Sequence, residues 1–309
     1  MKKGLVYRST GSWYTVESEG VFYACRIKGK LRLNGIKSTN PIAVGDWVIF
    51  EVDSNAAVPE GTINKIEERR NYIVRKSVNL SKQTHIIASN IDQVFLIVTL
   101  NNPTTFPAFI DRFLVTAQAY QIPAILLFNK MDTYTKSEIK EIEDLEEIYQ
   151  KIGYDTYQIS AKKSWKIKEL ENLMLNKISM FSGHSGVGKS TLVNAISPDL
   201  ALKTAAISTQ HKQGIHTTTF AEMFALKAGI KIIDTPGIKG FGVFDIGPEE
   251  IGNYFPEFLI LKAQCKFNNC LHNNEPNCAV ISAVKSRVIS PVRYQSYLQM
   301  LEEDSPYRN

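Results

Sequence analysis

Cysteine and histidine are scarce in this 309-residue chain, with four of one and five of the other, and no run of eighteen apolar residues occurs in it. So few thiols exclude a disulfide-dense scaffold, and without such a run no helix is long enough to span a membrane. The opening segment MKKGLVYRSTGSWY has two lysines but no apolar stretch behind them, so it does not read as a secretory signal. Low-complexity tracts are absent too. These absences make the cytoplasm the expected location, with no membrane partner. What is present is the composition of a soluble globular protein, 44% apolar, 22% charged and 10% aromatic, at a length that suits two or three domains.

The net charge of +5 is unevenly spread. Residues 1–80 hold thirteen Lys and Arg against eight Asp and Glu, whereas 81–250 hold seventeen against eighteen and 251–309 six against five. The excess sits in the first quarter. It suits either an ordinary solvated surface or a module that faces a polyanion.

Residues 1–73 read as strands: GLVYRS, SWYTVES, VFYACRIK and DWVIFEVD are short, rich in β-branched and aromatic residues, and separated by turn signals. A five-stranded barrel of the oligonucleotide-binding type fits the length and charge, and an SH3-like barrel has the same pattern. From about residue 86 the pattern changes. VFLIVTL (94–100) and PAILLF (123–128) are continuous apolar runs, as expected of strands covered on both faces. PAFIDRFLVTAQAY, SEIKEIEDLEEIYQKIG (137–153) and IKELENLML have helical spacing, the second with Ile139, Ile142, Leu145, Ile148 and Ile152 on one stripe. YDTYQIS, KISMFSG and KIIDTPG read as further strands. Alternating strands and helices imply a mostly parallel sheet with helices on both faces. The last segment holds a cysteine cluster and then a predicted helix, PVRYQSYLQMLEE.

FSGHSGVGKSTL (181–192) matches a phosphate-binding loop, with Gly183, Gly188, Lys189 and Ser190 in place after a strand and before a helix. There glycines let backbone N–H groups turn toward phosphates, Lys189 reaches the terminal phosphates, and Ser190 ligates Mg²⁺. Gly183, His184, Ser185, Gly186, Val187, Gly188, Lys189, Ser190 and Thr191 are the candidate phosphate contacts. In KIIDTPG, Asp234 can hold Mg²⁺ through water and Gly237 can offer its N–H to the terminal phosphate, although D-x-P-G is also ordinary turn chemistry. In LLFNKMDT (126–133), Asp132 can accept both N1–H and N2–H of guanine, a pair adenine does not present. Asn129 and Lys130 would brace that loop and pack on the ring. In ISAK (159–162), Ser160, Ala161 and Lys162 follow the next strand, and the Ala161 N–H can meet guanine O6.

All four motifs stand at carboxyl ends of predicted strands, where ligands bind in such sheets. Their usual order is phosphate loop, switch Thr, D-x-x-G, N-K-x-D, S-A-K. Here N-K-x-D and S-A-K come first, which is one cyclic shift, allowed where chain ends lie close together on a domain's surface.

CKFNNCLHNNEPNCAV supplies Cys265, Cys270, His272 and Cys278, spaced C-x4-C-x-H-x5-C. Thiolates and imidazole at such intervals suit one tetrahedral Zn²⁺, and with all four positions filled the site reads as structural. Cys25 lies far away in an apolar strand and reads as a buried structural thiol.

With its barrel, permuted motifs and cysteine cluster, the chain resembles the circularly permuted GTPases of the ribosome-small-subunit-dependent GTPase A family over nearly its whole length. The segment GIHTTT (214–219) is similar to that family's switch. It implies Thr218 as the second protein ligand of Mg²⁺, with Thr217 or Thr219 as alternatives. Two departures stand out. Ile238 follows D-T-P-G where many GTPases carry a water-positioning Gln, an apolar choice the family shares. Asp245 stands where the family has a His in the second switch, so the group that orients water is open. His184, His211 and His216 read as ordinary exposed histidines.

The expected architecture is therefore multidomain: an oligonucleotide-binding-type β-barrel (1–73), a central permuted α/β GTPase domain (74–250), and a mainly α zinc-binding domain (251–309). Lys189, Thr218, Asp234 and Gly237 are the candidate catalytic residues, with Mg²⁺ on Ser190, Thr218 and Asp234. The resemblance implies a monomeric GTP hydrolase that binds GTP and GDP, engages the small ribosomal subunit and its rRNA, and assists late maturation with stimulated turnover. The alternative is a GTP-gated RNA-binding module with incidental turnover, toward which the absent Gln points. A metabolic nucleotide kinase is a third class, and the N-K-x-D motif and the permuted order argue against it.

Overall fold

The computed structural model describes residues 1–27, 41–53, 58–76, 84–198, 200, 221–234 and 246–303. These fall into two compact units, one of 1–94, 166–181 and 190–239, the other of 95–165, 182–189 and 240–309.

The first unit begins with β1 (Lys2–Ser9), β2 (Tyr14–Ser18), β3 (Val21–Ile27), β4 (Trp47–Val52) and β5 (Glu60–Ile66). They pair in the order β1-β2-β3-β5-β4, and β4 pairs again with β1, so the sheet closes. All these pairs are antiparallel except β3 against β5, where Ala24 lies opposite Glu60 and Ile27 opposite Ile63. A parallel pair needs a crossover, so this is a Greek-key barrel of the oligonucleotide-binding type and not an all-antiparallel one. Alternate residues, among them Val6, Val16, Tyr23, Phe50 and Ile63, fill the interior. Cys25 is among them, and burial pushes its thiol up to about 12, which suits an inert structural side chain. The same unit holds a hairpin of β6 (Tyr72–Lys76) and β7 (Thr84–Ser89), and β11 (Ile178–Ser182) parallel to β13 (Lys231–Asp234). β12 (Glu222–Ala225) runs antiparallel to β13 and meets β1 where Glu222 faces Arg8.

A buried ion pair fastens the barrel to the chain that follows it. Arg69 grips Asp46 with two hydrogen bonds of 2.6 Å, and the wholly buried carboxylate also accepts the Ser89 hydroxyl at 2.6 Å and the Ala43 N–H at 2.8 Å. Removing one partner of such a pair strands the other charge in a medium that solvates it poorly. Arg69→Met should therefore lower stability by about 3–5 kcal/mol. A urea titration of the variant, followed by circular dichroism, should show that loss as a lower midpoint at unchanged slope.

The second unit holds most of β8 (Gln93–Val98), with β9 (Ala124–Phe128) beside it and β10 (Asp155–Gln158) parallel to β9. β8 is buried along its entire length, as its unbroken apolar run predicts. α1 (Pro107–Ala119) and α2 (Lys136–Lys151) connect these strands. Thr135 and Glu138 form a reciprocal capping box at the start of α2. Then come α5 (Pro248–Ile251), α6 (Pro256–Lys262), α7 (Ala279–Lys285) and α8 (Pro291–Glu303), numbered after α3 (Ile167–Met174) and α4 (Lys189–Ile196) of the first unit's chain order. Phe255, Phe258, Val280, Tyr297 and Met300 make one core with Val115 of α1. Inside it Arg293 of α8 is fully buried, bonded to Asp111 of α1 at 2.6 Å and to Glu257 of α6 at 2.8 and 3.0 Å. Tyr149 of α2 donates its hydroxyl to the same Asp111 at 2.9 Å.

Candidate active site and metal centre

Asn129 stands at the carboxyl end of β9 and is 2% exposed. Its N–H donates to Val98 O at 2.9 Å, which holds the loop against the end of β8. Its side-chain Nδ2 donates to Val187 O at 2.8 Å, while Oδ1 accepts the Ala161 N–H at 3.0 Å. One buried amide thus joins the N-K-x-D loop, the phosphate loop and the I-S-A-K turn. Lys130, at a left-handed φ of 69°, donates from Nζ to Asn102 O at 2.5 Å and to Gly186 O at 2.8 Å. Asp132 is exposed in a 3₁₀ turn, Met131–Thr133, where its Oδ1 accepts the Ser160 hydroxyl at 2.5 Å. Ser160 in turn accepts the Lys163 N–H at 3.1 Å, so the carboxylate is oriented yet solvent-accessible. Lys162 is exposed.

The phosphate loop leaves β11 and closes on α4. Gly188 has φ +103°, and a Cβ there would lie 2.5 Å from Asn129 Nδ2. Glycine is therefore needed both for the backbone conformation and for the approach of the asparagine amide. Lys189 donates to the carbonyls of Gly183 and, at 3.2 Å, His184. Val187 is buried, whereas Ser185 and Gly186 are exposed. His184 departs from the expected solvated side chain: it is half-buried, and its ring stacks on Phe109 of α1 with centroids 3.9 Å apart and planes 33° apart. Phe109 gives no sequence signal as a site neighbour, because phenylalanines such as Phe109 and Phe113 in an amphipathic helix are ordinary core patterning.

Ser190 and Thr191 open α4 and Asp234 ends β13; all three belong to the unit that holds the barrel. Thr217, Thr218, Thr219, Gly237, Ile238, Asp245, His211 and His216 lie outside the described residues.

In the C-terminal part the Sγ atoms of Cys265, Cys270 and Cys278 and a ring nitrogen of His272 all lie within 4.8 Å of one another. His272 Nδ1 is 3.6 Å from Cys265 Sγ and 3.3 Å from Cys278 Sγ, and those two sulfurs are 3.9 Å apart. A tetrahedral zinc with Zn–S near 2.3 Å has sulfur–sulfur edges of about 3.8 Å, so the donor set and its spacing fit Zn²⁺. Hydrogen bonds hold the cluster from outside. Tyr294 donates to His272 O at 2.7 Å, Tyr297 to Leu271 O at 2.5 Å, and Cys278 caps α7 by accepting the Ile281 N–H at 3.5 Å. Burial pushes the Cys270 thiol up to about 12 and raises that of Cys278, while it lowers His272. A neutral imidazole is a competent ligand as it stands, whereas buried thiolates need a cation beside them.

The barrel, the α/β sheet and the order of its loops define a circularly permuted GTPase with a C-terminal Cys₃His cluster. The chain belongs to the RsgA GTPase family, whose profile matches residues 66–244, and that of the RsgA N-terminal domain matches residues 3–63. It is 62% identical to the small ribosomal subunit biogenesis GTPase RsgA of Flavobacterium psychrophilum, over 99% of this chain and 94% of that one. With the same-named protein of Christiangramia forsetii it shares 60% identity, over 99% and 98% of the two chains. Among solved structures it is similar to YjeQ from Thermotoga maritima, with 35% identity, TM-score 0.81 and 99% of each chain covered. YloQ, described as a circularly permuted GTPase, matches with 30% identity and TM-score 0.77, over 100% of this chain and 96% of that one.

Proposed function

We propose that this chain hydrolyses GTP and uses the nucleotide state to govern binding to the small ribosomal subunit during late maturation. The observation that carries the nucleotide half is the Asn129 amide, which ties together the three loops that would enclose a guanine nucleotide. Asp132 would take the guanine N1–H and N2–H, whereas the Ala161 N–H, expected to meet O6, is donated to Asn129 Oδ1 at 3.0 Å. The loop Gly183–Lys189 would wrap the phosphates with its N–H groups, and Ser190 and Asp234, with Thr218, would hold Mg²⁺. That ion would supply charge neutralisation. Lys189 would balance the charge that develops as water attacks in line, and Gly237 would offer an N–H to the terminal phosphate. Zn²⁺ on Cys265, Cys270, His272 and Cys278 would be structural.

The ribosomal half is supported by the names of the relatives and by the outer face of the barrel. Trp13 is 36% exposed with the Arg26 guanidinium 3.8 Å from its ring centroid, and Trp47 is 39% exposed with Lys3 Nζ at 5.2 Å. Phe22, 50% exposed, lies on β3, the strand that carries Arg26. Aromatic faces interleaved with cations suit stacked bases and phosphates. A GTP-gated RNA-binding module with incidental turnover is the second reading, favoured by Ile238 after D-T-P-G.

Nucleotide choice tests the first half. GTP and GDP should bind at least about a hundredfold more tightly than ATP, because a carboxylate that meets no N–H pair is left with an uncompensated desolvation cost. Asp132→Asn should move the preference toward xanthine nucleotides. Calorimetric titration of both proteins with GDP, ADP and XDP reads this, and equal affinity of the parent for GDP and ADP would sink the reading.

A further inference from the structure

The connection Leu100–Thr105, between β8 and α1, carries none of the motifs of a nucleotide-binding loop, yet it is laced to those motifs. Tyr134, two residues beyond Asp132, is the main tie. Its hydroxyl accepts the Leu100 N–H at 3.0 Å and donates to Asn129 O at 3.2 Å. Burial raises its phenol above the ordinary range, so the donor proton is retained at any working pH. Glu138 closes the box on Thr135 with one oxygen and accepts Asn101 Nδ2 at 2.7 Å with the other. Lys130 reaches Asn102 O, and Pro103 packs so near that a Cβ on Gly186 would be 3.4 Å from its Cδ.

We infer that Tyr134 is a positioning residue of the guanine site, acting through Asn129, and that Leu100–Pro103 is a brace which the site requires. The inference rests on the guanine reading proposed above. Asn129 serves two loops at once through one side chain, and both bonds, at 2.8 and 3.0 Å, tolerate little movement of its backbone. Its carbonyl lies past Phe128, the last residue of β9 that pairs with β10. There the Tyr134 hydroxyl anchors it to Leu100, two residues beyond the end of β8. Without that hydroxyl, the Leu100 N–H and the Asn129 C=O lose a partner together, and the start of the loop bearing Asp132 is freed.

The test compares the full-length parent with Tyr134→Phe, Asn101→Ala and the double variant. Measured are GDP affinity, the release rate of a fluorescent GDP, apo-protein melting, and KM against kcat for GTP. Tyr134→Phe should weaken GDP by about tenfold, chiefly through faster release, as expected for one well-placed hydrogen bond. Apo melting should fall by no more than about 2 °C, and the loss should appear in KM rather than kcat. Asn101→Ala should cost less, and the double variant less than the product of the two, because both act on one loop. A Tyr134→Phe affinity within about twofold of the parent overturns the inference. So does a loss matched by a fall in melting temperature and in kcat, which marks general loosening. If instead the parent itself fails to prefer GDP over ADP, the guanine reading falls first.

Discussion

Small ribosomal subunits added in excess should raise steady-state phosphate release by about 10³–10⁵-fold, the range reached when a partner supplies or orders a missing catalytic group. The side chain of Ile238, after D-T-P-G, has no atom that can orient water. The isolated protein should accordingly turn over slowly. Stimulation should depend on the barrel, where Trp13 with Arg26 and Trp47 with Lys3 face outward. A stacked base is worth about 1–3 kcal/mol, so Trp13→Ala should raise the half-saturating subunit concentration by about 10–100-fold at unchanged GTP affinity. Rising salt should weaken the association further, as phosphate contacts demand. Point substitution is the right tool, because deleting residues 1–73 would also strip β12 of Arg8 and Ser89 of Asp46. A flat rate with subunits present, while GTP binding is confirmed, would leave the GTP-gated binding module as the reading.

The second large effect concerns the metal. Purified protein should carry one zinc per chain, and its removal should unfold the C-terminal core while the barrel persists. Structural zinc contributes about 10–16 kcal/mol to the folding of small finger peptides, and here it would neutralise thiolates that burial alone disfavours. Cys270→Ala should reproduce the loss, since three remaining donors hold the ion with an open position. Metal analysis together with near-ultraviolet circular dichroism, which reports Tyr294 and Tyr297 beside the cluster, checks both statements. Iron in place of zinc, or a folded metal-free C-terminal part, would refute them.

Strands buried on both faces are legible in the sequence, because a short unbroken run rich in β-branched residues, such as VFLIVTL, suits a strand covered on both sides, and β8 is buried throughout. Glycine-rich loops and paired ligands were legible for a similar reason: their chemistry needs fixed residue types at fixed offsets. β5 was not, since EGTINKI has only two strongly apolar residues and is recruited by barrel closure. The helix α2 shows how tertiary demand displaces a pattern. Its isoleucine stripe reads as the buried face, yet Glu146 and Tyr149 are buried with Ile142, because Gln158 and Asp111 offer them partners. No spacing rule announces such partners. Tyr134 and Phe109 escaped likewise, for their importance comes from what folds against them.

The buried guanidinium of Arg293 bears on how the molecule can be cut and spliced. Its countercharges come from α6 and, nearly 150 residues earlier in the chain, from Asp111 on α1. A hybrid that replaces everything beyond residue 250 takes Arg293 and Glu257 away together and leaves Asp111 behind on α1. The stretch that travels intact is the C-terminal part together with α1, two pieces separated in sequence by the phosphate loop. Permutation moved the ends of the nucleotide-binding fold, but this charge stitches the new tail back to its middle, so inheritance by segments and inheritance by structure part company here.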